Sequence, residues 1–170
     1  MKDCAQPLQH IEHGIPPVFD ERSEVLVLGT MPSPKSREAA FFYGHPQNRF
    51  WKLMGRLLKE TFPPEYQGKK SILLRHGIAL WDVIASCSIE GSSDSSIRDV
   101  VPNDLSRILS AANIQAIFCN GKTSWNYYKK YQETVTGIPA VSLPSTSPAN
   151  AAWTLEKLEG VWDVISDYLE

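Results

Sequence analysis

Short, mostly apolar stretches at Val25 to Leu28, Ile78 to Ile84, Ala116 to Cys119 and Val141 to Leu143 lack the polar alternation of a half-exposed strand. Runs of that kind suit strands covered on both faces, as in a parallel sheet. Between them the apolar period lengthens. Phe50, Leu53, Met54, Leu57 and Leu58 fall on one helical face of Asn48 to Glu60, which stops before Pro63 and Pro64; Leu105 to Ala111, Thr123 to Tyr131 and Ala151 to Leu169 carry similar spacing. Strands alternating with helices predict an α/β fold, a three-layer α/β/α sandwich around a central, mainly parallel sheet of about four strands. Residues 1–22, with Pro7, Gly14, Pro16 and Pro17, show no clear period and read as an arm lying on the domain. The Ser-rich stretch Ser86 to Ser96 reads as an exposed loop. No repeat with a period of roughly 20–50 residues appears, and one domain is expected over residues 1–170.

Composition narrows the setting. A chain of 170 residues that is 42% hydrophobic and 21% charged buries a sizeable core unaided. Its net charge of −2 supplies no global field for a polyanion, so contact with nucleic acid must come from a local cluster of basic groups. Cys4, Cys87 and Cys119 are too scattered for a disulfide framework or a four-cysteine cluster, which suits a reduced, cytoplasmic protein. The chain contains no apolar run of about 18 residues, so no membrane partner is expected, and a monomer is.

Several familiar chemistries find no support. Gly121-Lys122-Thr123 resembles the end of a phosphate-binding loop, but the glycine required five positions earlier is Ala116. His10 and His13 have no third ligand nearby, so no metal is expected, and no Gly-x-Ser-x-Gly elbow is present. What remains is a set of strand-end loops rich in amides, hydroxyls and aromatics: Gly29 to Asn48, Trp81 to Ser96, Asn120-Gly121 and Leu143 to Asn150. Amides read the edge of a heterocycle or orient a water, aromatic rings stack, and hydroxyls at turns bind phosphate oxygens. Together they suggest a nucleobase pocket at the carboxyl edge of the sheet.

These loops resemble the uracil-DNA glycosylase superfamily, most closely its hypoxanthine-DNA glycosylase branch. Gly29-Thr30-Met31-Pro32-Ser33 looks like the first superfamily motif, and Tyr43 to Trp51, YGHPQNRFW, is similar to a signature shared with mismatch-specific uracil glycosylases. Leu80-Trp81-Asp82-Val83 with Cys87 and residues 91–94, Phe118-Cys119-Asn120-Gly121, and Leu143 to Ala151 resemble later blocks of the hypoxanthine branch. Where many superfamily members carry a water-orienting Asp or Asn in the first motif, this chain has apolar Met31. The resemblance shifts that work to Asn48 and implies a second functional amide at Asn120.

The resemblance implies a monofunctional enzyme that flips a deaminated base out of DNA and hydrolyses its N-glycosidic bond, with hypoxanthine in deoxyinosine as the leading substrate. Asn48 and Asn120 are the candidate catalytic pair, and Thr30, Met31, Phe42, Tyr43 and Asn120 the candidate base-binding set. Ser33, Lys35, Arg49, Ser145, Thr146, Ser147 and Asn150, with Arg37 and Lys122 beside them, are candidates for the DNA backbone. No cofactor is implied. The alternatives are a uracil- or mismatch-specific glycosylase and a non-catalytic module that binds damaged DNA. Plainer roles compete at each position. Asn48 suits a helix cap, Ser145 to Ser147 a hydroxyl-rich turn, and Trp51, Trp81 and Trp153 the core. Asp82 is open between a buried structural acid and a group supporting the site from behind.

Overall fold

A computed structural model describes residues 8–12, 14–39, 41–90 and 94–169, with positions 34, 35, 39 and 94 described by their backbone alone. Among these, seven strands form two sheets: β1 (Leu8–Glu12), β2 (Val25–Gly29), β3 (Ile78–Asp82), β4 (Ile84–Glu90), β5 (Arg98–Pro102), β6 (Ala116–Asn120) and β7 (Ala140–Leu143). The larger sheet is parallel throughout, in the order β3-β2-β6-β7. Every residue of β2, β3 and β6 is buried, as continuous apolar runs require when helices cover both faces. The expected central sheet is therefore present.

Seven α-helices flank it among the described residues: α1 (Pro34–Ala39), α2 (Phe50–Leu58), α3 (Tyr66–Arg75), α4 (Ser106–Leu109), α5 (Lys122–Tyr131), α6 (Glu133–Thr136) and α7 (Leu155–Trp162). The apolar stripe of α2 puts Phe50, Leu53 and Met54 out of solvent completely. Lys59 ends that helix in the left-handed conformation, and the Glu60 N–H donates to the Gly55 carbonyl at 2.9 Å. Thr154 caps the start of α7, its side chain accepting from the Lys157 N–H at 3.2 Å.

Two expectations need correction. The stretch from Ser86 is not an exposed loop: Ser86 to Glu90 lies in β4, which pairs antiparallel with β1 and β5 in a second sheet. Its serines alternate with buried Cys87 and Ile89 and are small enough to be buried themselves, at 7% and 8% exposure for Ser86 and Ser88. The amino-terminal arm likewise supplies a strand. Leu8 to Glu12 pairs with β4, and Val18 exchanges two 2.9 Å backbone hydrogen bonds with Leu80 on β3. Short strands with small polar residues hide their period from a sequence reading. Of the three tryptophans expected in the core, Trp81 is buried, while Trp51 and Trp153 pack against the core from its margin.

Phe50 is the hub of the aromatic packing under the site, in ring contact with Tyr43, Trp51 and Trp162. Phe50→Ala should lower unfolding free energy by about 3–5 kcal/mol, measured as a shift in the urea midpoint at unchanged slope.

Candidate active site

Because β2, β3 and β6 are in register, with Gly29 opposite Asp82 and Leu28 opposite Cys119, the loops leaving the sheet all emerge at one edge. Thr30 to Ser33, Asp82, Asn120-Gly121 and Ser145 to Ala149 meet there with the segment from Phe42 to Asn48. They bound a cleft of about 590 Å³. Three of the four loops singled out in the sequence converge there, the fourth stretch, Trp81 to Ser96, contributing strand residues Asp82 and Ile89, and Asn48, Asn120 and Ser145 share one wall system.

Thr146 joins the two amides. It is fully buried; its hydroxyl donates to Asn48 Oδ1 at 2.8 Å and accepts from Asn120 Nδ2 at 3.0 Å. Its backbone N–H donates to Asn120 Oδ1, also at 3.0 Å. Asn48 Oδ1 takes a second bond from the Phe50 N–H at 3.0 Å, so the helix-start role and a place in the cleft coexist in one side chain. Its oxygen is held from two sides, which leaves Nδ2, without a partner among the described residues, as the group offered to a ligand. Gly121, at φ 98°, lets the Ser145 loop close over Asn120, since a β-carbon there would stand 3.2 Å from Ser145 Cβ.

The backbone-contact candidates divide. Arg49 directs its guanidinium inward, donating from Nη2 to the carbonyls of Ser147 at 2.9 Å and Asn150 at 3.1 Å, from Nε to Thr146 at 3.4 Å, and from Nη1 to Trp153. Its donors hold the loop, and Arg49 is not among the residues lining the cleft. Asn150 also works within that loop, donating to the Ser145 carbonyl at 3.0 Å, and the Thr146 hydroxyl is committed to the amides. Ser33, Ser145 and Ser147 remain on the cleft wall; the Lys35 side chain lies outside the described residues. The basic groups lining the cleft are Arg37 and Lys122, with His45.

Tyr43 and Phe42 form the aromatic side. Tyr43 has φ 53°, a left-handed backbone uncommon for a bulky residue and concentrated at functional sites. The turn is pinned by the Gly44 N–H donating to buried Ser36 Oγ at 2.8 Å and by Trp51 Nε1 donating to the Phe42 carbonyl at 3.2 Å. One face of the Tyr43 ring stacks on Phe50, 4.2 Å between centroids and 25° between planes, so only the other face is left for a ligand. Its hydroxyl is buried near Asn120 but out of hydrogen-bonding geometry. Burial first, and the Asp82 carboxyl second, push that phenol well above the ordinary tyrosine range. Phe42 is a core residue that also walls the cleft. Thr30 and Met31 line it too, and Met31 brings no group able to orient water.

Asp82, which the sequence left unassigned, lies in the cleft floor at 3% exposure, with Oδ2 unpartnered. A β-carbon at position 29 would stand 2.5 Å from Asp82 Oδ1 and 3.0 Å from the Tyr43 hydroxyl, which explains the glycine. The available sequence signal was a carboxylate ending an apolar strand. Ser36 was missed because nothing in its local pattern marks it, while Gly29 and His45 stood inside the motifs without an assigned role.

A family model for the uracil DNA glycosylase superfamily matches residues 16–167. A hypoxanthine DNA glycosylase of Methanosarcina acetivorans is 35% identical over 157 residues, covering 91% of this chain and 98% of its own length. One of Methanosarcina barkeri is 38% identical over 118 residues, 68% of this chain and 75% of that protein. The fold is similar to the solution NMR structure of a candidate uracil DNA glycosylase from M. acetivorans, with TM-score 0.77, 32% identity, and coverage of 93% of this chain and 99% of that one.

Arg49→Lys keeps the charge and loses the planar fork that reaches four carbonyls. The variant should be less stable by about 2 kcal/mol, through carbonyls left without donors, and residues 145–153 should exchange amide hydrogens faster while β2 and β6 do not.

Proposed function

This chain belongs to the uracil DNA glycosylase superfamily, and from that premise we propose that it releases deaminated bases from DNA, hypoxanthine foremost, by hydrolysing the N-glycosidic bond of a flipped nucleotide. The observation carrying this reading is the Asn48–Thr146–Asn120 chain, set in a cleft with one free aromatic face. A base inside a duplex is out of reach, so the nucleotide must rotate into such a cleft, and a weakly paired lesion is the easiest to extrude. There the exposed face of Tyr43 stacks on the base. Thr146 holds Asn48 so that its Nδ2 orients the water or the substrate near the anomeric carbon. Asn120 serves the base edge and fixes Thr146.

Bond breaking puts positive charge on the sugar and negative charge on the base, and fixed dipoles aimed at those charges lower the barrier. Ser33, Ser145 and Ser147 meet backbone oxygens around the flipped nucleotide, and Arg37 and Lys122 supply the local positive field that the net charge of −2 withholds. The enzyme acts as a cytoplasmic monomer of one domain and leaves an abasic site. Among the described residues no helix is long and apolar enough to cross a membrane.

Single-turnover base release from oligonucleotides carrying inosine, xanthine, uracil or mismatched pairs tests the reading. Inosine should be cleaved fastest; turnover confined to uracil or mismatches would replace hypoxanthine as the substrate, and binding without release would leave a recognition module. Asn48→Ala should slow inosine cleavage by about 100-fold or more with affinity nearly unchanged, because the lost contact acts in the transition state. Asn120→Ala should weaken discrimination of hypoxanthine from adenine and, by freeing Thr146, combine less than additively with Asn48→Ala. Arg37→Ala and Lys122→Ala should each flatten the salt dependence of DNA binding by about one unit of slope.

A further inference from the structure

The geometry points to Asp82 as the proton donor to the departing base: a buried carboxyl in the cleft wall, its Oδ2 unpartnered among the described residues, that protonates the purine as its glycosidic bond breaks. This rests on the glycosylase reading and adds a catalytic residue to it. Asp82 ends β3 directly opposite Gly29, and only because residue 29 has no side chain does the carboxyl lie over the strand end. Its residue is 3% exposed, Oδ2 has no partner among the described residues, and the chain around it supplies backbone support rather than charge. Asn103 Nδ2 donates to the Asp82 carbonyl at 2.9 Å, and the N–H groups of Val83 and Ile84 donate to the carbonyls of Gly29 and Thr30 at 2.8 and 3.1 Å. A buried carboxylate held only for structure is normally paired or capped by donors. This one is neither, and it lines the cavity.

Burial without a compensating cation pushes the carboxyl up to about 7. The ionisable groups nearest it do not titrate in the same range: Tyr43 is raised by burial, and the Cys119 thiol on β6 is pushed up to about 12 by the same cause. The remaining charged or titratable walls of the cleft are Arg37 from α1, His45 from the loop before α2, and Lys122 from α5.

The step balances with water alone. The C1′–N bond electrons pass to the purine, and the Asp82 proton follows to a ring nitrogen, so the base leaves neutral and Asp82 becomes a carboxylate. Water forms the new C1′–O bond, and the proton it releases restores the acid. Met31, where the resemblance leads one to expect a water-orienting Asp or Asn, then fits the chemistry: assistance falls on the leaving group rather than on a water held by the first motif.

Single-turnover cleavage of inosine DNA from about pH 5 to pH 9 tests this. The wild-type rate should fall about tenfold per unit above neutrality. Asp82→Asn, the uncharged isostere of the acid, should be about 100-fold slower at pH 6 and lose that alkaline limb. His45→Asn should keep it. Asp82→Ser serves the same comparison if the Asn variant does not fold. A limb that survives in Asp82→Asn, or disappears in His45→Asn, overturns the proposal alone; failure of the wild type to cleave at any pH overturns the glycosylase reading and the proposal with it.

Stability supplies a readout independent of turnover. A carboxyl raised in the native state holds its proton where the unfolded chain, near 3.8, has lost it. Its contribution to stability is full below that value and declines as pH rises to about 7. The wild-type urea midpoint should therefore fall across that window relative to Asp82→Asn. Parallel midpoints would show an ordinary carboxylate and overturn the proposal.

Discussion

The site depends on the tie between the start of α2 and the loop after β7. Asn48 and Arg49 are consecutive, and between them they hold Thr146, Ser147, Asn150 and Trp153, residues about 100 positions away in the chain. Loops seldom fix a polar group well, because each side chain retains its own rotamer freedom. Here the loop is fastened from both ends. Thr146 is caught between two amides, and the guanidinium gathers the carbonyls that would otherwise point outward unpaired. Preorganisation of this kind makes a hydrogen-bond donor useful in a transition state, since no reorientation is needed when charge develops. The same connection engages four of the five Arg49 guanidinium donors on backbone carbonyls of the loop, which leaves the side chain little to offer a phosphate.

A second constraint runs against stability. Register places Asp82 opposite Gly29 at the end of two buried strands, where the carboxyl is nearly excluded from solvent and is paired with no cation among the described residues. A Leu or Asn would be easier to bury, and a carboxyl kept neutral avoids most of the Born penalty while still opposing folding as pH rises. Tyr43 adds to the local tension, with a left-handed backbone and a buried hydroxyl that reaches no acceptor. Strained or unsatisfied groups collect at functional sites because the surrounding packing over-determines them. Here that packing is identifiable: Phe50 stacked under Tyr43, and Ser36 pinning Gly44.

The central sheet was legible because its strands are unbroken apolar runs and α2 carries a clean stripe; burial and sequence pattern coincide there. The antiparallel sheet was not. In β4 the alternation is between Ser and Cys or Ile, so polarity masked a buried strand, and one of its partners, β1, lies far off in sequence. In the site, the loops and both amides were legible from residue type at strand ends. Whether a donor faces solvent or its own backbone was not, since that depends on contacts across roughly a hundred residues. Arg49 reads as a phosphate ligand for this reason, Asn150 does so although its side chain turns back on the Ser145 carbonyl of its own loop, and Asp82 stayed ambiguous because only the structure shows that its Oδ2 has no partner among the described residues.

Charge is distributed in the cleft as the substrate requires. A purine lesion is neutral but hangs from an anionic backbone, so a pocket that binds both must separate its charges by depth. In the floor and inner walls stand Asn48, Asn120, Thr146 and Tyr43, with Asp82, whose carboxyl burial holds in its protonated form up to about pH 7. Arg37 and Lys122 stand among the walls with side chains long enough to meet phosphates. An ionised acid at the floor would repel the negative charge that builds on the departing base, whereas the same acid carrying its proton stabilises it. One carboxyl can therefore help or hinder the reaction according to a single proton, and the dry strand end at Gly29 is what decides between them.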